Sequence, residues 1–206
     1  MDNRVGVFLI LIVCAGSAGC LSGVFGEPPA KPALTITITP APESRTGSLT
    51  PDMLALQPED LPVDYSIRDR TVILASDISP VLQDIGWLQG YTVSYYRLNR
   101  DTDDRTGIRQ SISIYPVTRM NTVFEVEKEN LLSGGNASIR KDEFPFPNTG
   151  DATFAVRQIS TGNDPVVTYT VIFIKKNVFE KISMGGTATD YEILKNITAV
   201  AAGKIQ

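Results

Sequence analysis

Few residues in this chain of 206 are equipped for chemistry. It contains no histidine and only two cysteines, Cys14 and Cys20. Without histidine it lacks the commonest general base and the commonest transition-metal ligand. A Ser-His-Asp triad is excluded. Of the two thiols, Cys20 is the better placed to react. It follows the uncharged stretch Val5 to Gly19 and directly succeeds Ser17-Ala18-Gly19. A signal peptidase takes an extended chain with small residues just before the cut, and Ala18 and Gly19 meet that need. Val13, before Cys14, is branched and bulky. Cleavage after Gly19 would make Cys20 the first residue of the chain, with its sulfur the attachment point for a thioether-linked lipid.

Arg4 supplies a positive start, offset by Asp2; Val5 to Val13 is apolar, and Ala15 to Gly19 are small. These residues resemble the signal peptide and lipobox of bacterial and archaeal lipoproteins, with Ser17 where leucine is usual. The resemblance implies that residues 1–19 are removed and that Cys20 attaches the protein to a membrane. Two lipid chains suffice for stable anchoring where one is marginal. Two alternatives stay open. Val5 to Gly26 carries no charge and has the length of an uncleaved transmembrane helix. Simple secretion is the other. All three put the remaining chain outside the cytoplasm.

Beyond Cys20 there is no thiol. That excludes a disulfide framework, a zinc-thiolate centre and a cysteine nucleophile in the folded part. The net charge of −4 is unchanged by removing residues 1–19, which hold one Arg and one Asp. A mildly acidic chain without a basic stripe argues against nucleic acid. The hydrophobic content of 42% is that of a globular chain.

The remaining chemistry-bearing groups are weaker. Asp101-x-Asp103-Asp104-x-x-Gly107 has the start of a calcium loop, but Ile112 stands where the bidentate Glu should be, which favours a solvated hairpin tip. Trp87, Tyr91, Tyr95 and Arg97 gather around one hairpin. Tyr91, Tyr95 and Arg97 share a strand face, so the group is either core with a rim cation or a partner-binding face. Asn136-Ala-Ser138 and Asn196-Ile-Thr198 match the N-glycosylation pattern, the first in a glycine-rich loop and the second on a helix. Phe144-Pro145-Phe146-Pro147 either tucks two rings into a core edge or presents them for docking. No metal or cofactor is expected.

The elements that must position these groups follow from pattern. Residues 20–47 read as a Pro/Thr-rich linker, semi-rigid around Pro28-Pro29 and Pro40-Ala41-Pro42. Within it Leu34 to Thr39 alternates, as an extended spacer or a short edge strand. Residues 48–206 read as one globular domain. Short helices are expected after Thr50-Pro51 and after Ser79-Pro80, the latter ended by Gly86. Strands are expected at Tyr65–Ile67, Thr71–Leu74, Tyr91–Leu98 and Ile108–Tyr115, with a polar turn over Asn99–Gly107. Ile108, Ile112 and Ile114 share one face of their strand; Arg109, Ser111 and Ser113 share the other. An amphipathic helix spans 119–132, a loop 136–150, and strands Ala152–Ile159, Val166–Ile174 and Val178–Met184 follow. A final helix capped by Asp190 carries the apolar stripe Tyr191, Leu194, Ile197, Ala201 and Ile205.

Runs of hairpins broken by two long helices predict an α+β domain, an antiparallel β-sheet with helices packed on it. Over residues 60–206 this order, with Gly90-Tyr91 opening an aromatic strand, resembles the PsbP-like α-β-α sandwich. That resemblance implies protein binding or an accessory role rather than catalysis. The expectation is a membrane-anchored extracytoplasmic lipoprotein whose non-enzymatic domain is presented to a protein partner or membrane complex. A small-ligand or solute-binding lipoprotein, or a histidine-free envelope hydrolase acting through carboxylates, are the alternatives.

Overall fold

The computed structural model describes residues 50–133, 139–160 and 165–206. The signal segment 1–19, Cys20, the linker 20–47 and Asn136 lie outside the described residues. Among the described residues no helix is long and apolar enough to cross a membrane.

Proline and polar caps start the helices where the sequence places them. Helix α1 (Pro51–Leu54) has proline at its first position. Helix α2 (Pro80–Ile85) begins at Ser79, whose side chain accepts from Leu82 N, and ends at Gly86 with φ 103°. Helix α3 spans Met120–Ser133. Helix α4 (Tyr191–Lys204) is capped by Asp190, which accepts from Glu192 N at 2.7 Å and Ile193 N at 3.2 Å. These bonds satisfy backbone donors that a helix start otherwise leaves open.

Among the described residues seven strands form one fully antiparallel sheet: β1 (Ser66–Ile73), β2 (Gln89–Asn99), β3 (Asp104–Ile114), β4 (Ile139–Glu143), β5 (Ala152–Ser160), β6 (Val167–Lys175) and β7 (Val178–Gly186). Their order is β1-β2-β3-β7-β6-β5-β4. Three expectations are corrected. The expected loop 136–150 contains β4, a charged strand paired with β5. The expected turn Asn99–Gly107 shrinks to the few residues between Asn99 and Asp104, because the β2–β3 ladder runs out to that pair. The two short extended segments near the start are one strand, β1, with a register shift between Ile67 and Asp69.

Helices lie on both faces of the sheet. On one face Val93, Tyr95, Ile108, Ile112, Ile182 and Met184 pack under α1, the following residues Ala55 and Leu56, and α4. On the other, Phe154, Val156, Ile172, Ile174 and Phe179 pack under α3 through Met120, Val123, Phe124 and Leu131. Strand β6 is covered on both sides, which is why Val171 to Ile174 is a continuous buried apolar run rather than an alternating one. The α+β expectation, with helices packed on an antiparallel sheet, is what the chain adopts.

Candidate functional site

Among the described residues, helix α3 covers β5, β6 and the start of β7, and the rest of that face is open. Successive side chains in a strand point to opposite faces, so register decides what the open area carries. Three cross-strand rows define it. Tyr96, Gly107, Gly185 and Thr168 form the row nearest the β2–β3 turn. Ser94, Arg109, Ser183 and Thr170 form the second. Thr92, Ser111 and Lys181 form the third. Beyond them the face turns apolar at Phe179 and Ile174, under α3. The floor is therefore built of hydroxyls, glycines and two cations.

Its hydroxyls are paired along the rows. Thr92 Oγ1 and Ser111 Oγ lie 2.8 Å apart, and Thr170 Oγ1 and Ser183 Oγ 3.0 Å apart. Lys181 Nζ sits 3.7 Å from Glu127 Oε2 on α3. Arg109 is exposed and makes no side-chain hydrogen bond or ion pair among the described residues. Asp69 is paired in register with Ser94 at the outer margin. A groove of about 610 Å³ runs over this surface between Arg68, Ser94, Gly107, Arg109 and Ser183. A second hollow of about 330 Å³ is lined by Arg109, Ser111, Lys181 and Ser183.

The aromatic and arginine group named from sequence is divided by the sheet. Tyr91, Tyr95 and Arg97 share a face, but it is the face under α1. Tyr95 is fully buried; its hydroxyl donates to Leu56 O, and burial pushes its pKa up to about 12. Arg97 lies over the Tyr65 ring, 5.1 Å from its centre, and Tyr91 is half-buried against the same core. Trp87 packs on the opposite face with Ile85 against the α3 core. Of the other three, Tyr91 shares with Trp87 the lining of a hollow of about 320 Å³; Tyr95 and Arg97 do not line it.

The other sequence candidates have local partners. Phe144 and Phe146 stack edge-on with Tyr169 and Tyr191 and close the core beside α4. Asp103 pairs with Arg105 at 3.2 Å, while Asp104 accepts from Thr102 Oγ1 and Thr187 Oγ1. Among the described residues no group of acidic side chains is disposed to hold a metal. Asn196 is exposed on α4, but the Thr198 hydroxyl of its motif is buried and donates to Leu194 O at 2.7 Å.

Two features escaped the sequence reading. One is the floor itself. Its signal is the repetition of Ser and Thr at alternate positions of three strands, Thr92 and Ser94, Ser111 and Ser113, and Thr168 and Thr170, which becomes a surface only once register is known. The other is the buried pair Gln110 and Glu180, with Gln110 Nε2 donating to Glu180 Oε2 at 2.7 Å. Their parity gave the signal: Gln110 alternates with Ile108 and Ile112, and Glu180 with Val178, Ile182 and Met184.

These features define the class: a three-layer α+β domain with half of one sheet face uncovered among the described residues. No family model and no curated protein matches the sequence. Among solved structures, the extracellular domain of PknH from Mycobacterium tuberculosis is similar, with a TM-score of 0.55 at 10% identity over 75% of this chain and 94% of that one. An uncharacterized protein of Mycobacterium smegmatis aligns with a TM-score of 0.40 at 12% identity, over 73% of this chain and 95% of that one. At 10% identity the likeness to the PknH domain is one of fold.

Proposed function

We propose that this chain is a membrane-tethered, extracytoplasmic binding domain that acts without catalysis and receives its ligand on the open polar half of the sheet. The floor of Ser94, Arg109, Ser111, Lys181 and Ser183 carries the reading, because it sets Arg109, without an ionic partner among the described residues, among hydroxyls beside a groove of about 610 Å³. Among the described residues Asp69 is the one carboxylate on the floor, and Glu127 of α3, at the floor's other side, is tied to Lys181. Carboxylate-driven glycoside hydrolysis needs two cooperating acids, so the arrangement favours binding. Cys20 behind an apolar segment supports the tether, and the order of elements over residues 60–206 resembles that of the PsbP-like accessory domains. That the similar PknH domain is described as extracellular agrees with a location outside the cytoplasm.

Two measurements test this. A photo-crosslinking residue at Ser183, on the floor, should trap the ligand in cells, and one at Val200, on the outer side of α4, should not. Trapping from Val200 alone overturns the binding face. Mass spectrometry of the membrane fraction should find Cys20 as a lipidated N-terminus. An unmodified Cys20 still preceded by residues 1–19 overturns the lipid tether.

A further inference from the structure

We infer that the floor around Arg109 and Lys181 is an oxyanion site, and that the group it takes is a phosphate ester. The inference rests on the open sheet face being the binding surface. Register sets the geometry. Arg109 lies directly opposite Ser183, and Lys181 directly opposite Ser111, in adjacent rows of the same strand pair. The four side chains are thus the corners of a square roughly 5 Å by 7 Å, with the cations on one diagonal and the hydroxyls on the other. An anion above the centre is within reach of all four.

The charges are arranged to receive it. Arg109 has no acidic partner among the described residues, and Lys181 holds Glu127 only at 3.7 Å. The hydroxyls can turn. Thr92 Oγ1 reaches Gln110 O at 3.2 Å as well as Ser111 Oγ, and its rotation towards Ser111 releases the Ser111 hydrogen. Either oxygen of the Thr170–Ser183 pair can donate, so Thr170 donating frees Ser183. Donors from four corners match a tetrahedral phosphoryl group, whereas a planar carboxylate is satisfied by the arginine fork alone.

Shape and the outer charge define what the phosphate is attached to. The 330 Å³ hollow over the square opens into the 610 Å³ groove, with Arg109 and Ser183 lining both. Phosphate in the first leaves its organic part in the second, over Gly107, Gly185 and Ser94. At its outer margin the groove is lined by both Asp69 and Arg68, so that end offers opposite charges side by side and not a second cationic site. A single phosphate on a neutral polar body fits; a long polyanion does not, and the chain's net charge of −4 opposes one as well. A sugar phosphate and the headgroup of phosphatidic acid share this chemistry.

The test uses the full ¹⁵N-labelled chain in neutral detergent micelles, titrated with glucose 6-phosphate, with glucose and with short-chain phosphatidic acid. Phosphate-dependent shifts at Arg109, Ser111 and Ser183 are expected. A response to the sugar phosphate alone identifies a soluble ester, and a response to the lipid alone identifies a headgroup; both support the site. Arg109→Met should weaken binding about tenfold and Arg119→Gln, away from the floor, should not. Glu127→Gln removes the competing carboxylate and should tighten binding severalfold. If Arg109→Met fails to fold, Lys181→Met makes the same comparison. Equal shifts with glucose, no response to either phosphate, or binding indifferent to the removed cation overturns the inference. Should that happen while Ser183 still crosslinks in cells, the ligand class falls and the binding face stands.

Discussion

Gln110 bridges the chain from within the core: its amide donates to Glu180 Oε2 at 2.7 Å, and its carbonyl oxygen accepts from Leu56 N at 2.8 Å. Glu180 is fully buried, and its Oε1 has no hydrogen-bond partner among the described residues. Burial pushes its pKa up from 4.5 to about 8, against the opposing pull of the Gln110 hydrogen bond and the Lys204 charge.

Stability should therefore fall with rising pH through this one group. Between pH 4.5 and about 8 the folded chain holds a proton that the unfolded chain has released. The folded state gains most from this group below the lower value and loses that gain as pH approaches the upper one. Glu180→Gln keeps the shape without the charge. It should be more stable than the parent at pH 8, by on the order of a few kcal/mol, and equal to it near pH 4.5. Urea unfolding at both pH values reads this. Equal stabilities at pH 8 would show that Glu180 ionises as freely inside as outside.

Tyr95 should prove structural. Its hydroxyl serves the Leu56 carbonyl, and Tyr95→Phe leaves that buried acceptor unpaired. A loss of about 1–2 kcal/mol in chemical denaturation is expected, with floor crosslinking from Ser183 unchanged. Loss of crosslinking in a folded Tyr95→Phe protein would return Tyr95 to the binding surface.

Two glycines at one end of the sheet should differ in tolerance. Gly186 has φ 146°, and a Cβ there would stand 1.9 Å from Arg105 O; at Gly107 the nearest atom to a Cβ is Tyr95 O at 3.8 Å. Gly186→Ala should cost several kcal/mol, since both backbone conformation and space oppose it, while Gly107→Ala should stay within about 1 kcal/mol of the parent. Thermal unfolding of the two variants decides it, and equal melting temperatures would refute the distinction.

What the sequence disclosed was whatever is local. Pro51, Ser79-Pro80, Gly86 and Asp190 mark helix ends by backbone chemistry that needs no distant partner. The alternation of Ile108, Ile112 and Ile114 declares an inner face for the same reason. Strand β4 was hidden because Ile139-Arg140-Lys141-Asp142-Glu143 has no apolar period; it is an edge strand held by pairing with β5 and by Lys141 donating to Leu131 O at the end of α3. The turn between β2 and β3 was read too long because Asp104-Arg105-Thr106-Gly107 is polar in composition, while Arg105 and Thr106 are fixed by Thr187 and Ala188 far along the chain. The floor was hidden most deeply. Arg109 and Lys181 are neighbours only through the β3–β7 register, a relation between residues that no stretch of sequence contains.

That ladder also bears on how the molecule assembles. Strands β1 to β3 form one local meander and β4 to β7 another, and the β3–β7 ladder between them joins residues 64 to 80 positions apart in the chain. Closing so long a loop costs entropy before any pairing returns it, so the two meanders zip together late on the folding route. The square of Arg109, Ser111, Lys181 and Ser183 straddles this seam. It comes into being only at the last step, and an anion held across it would act as a staple, slowing the unzipping of one meander from the other.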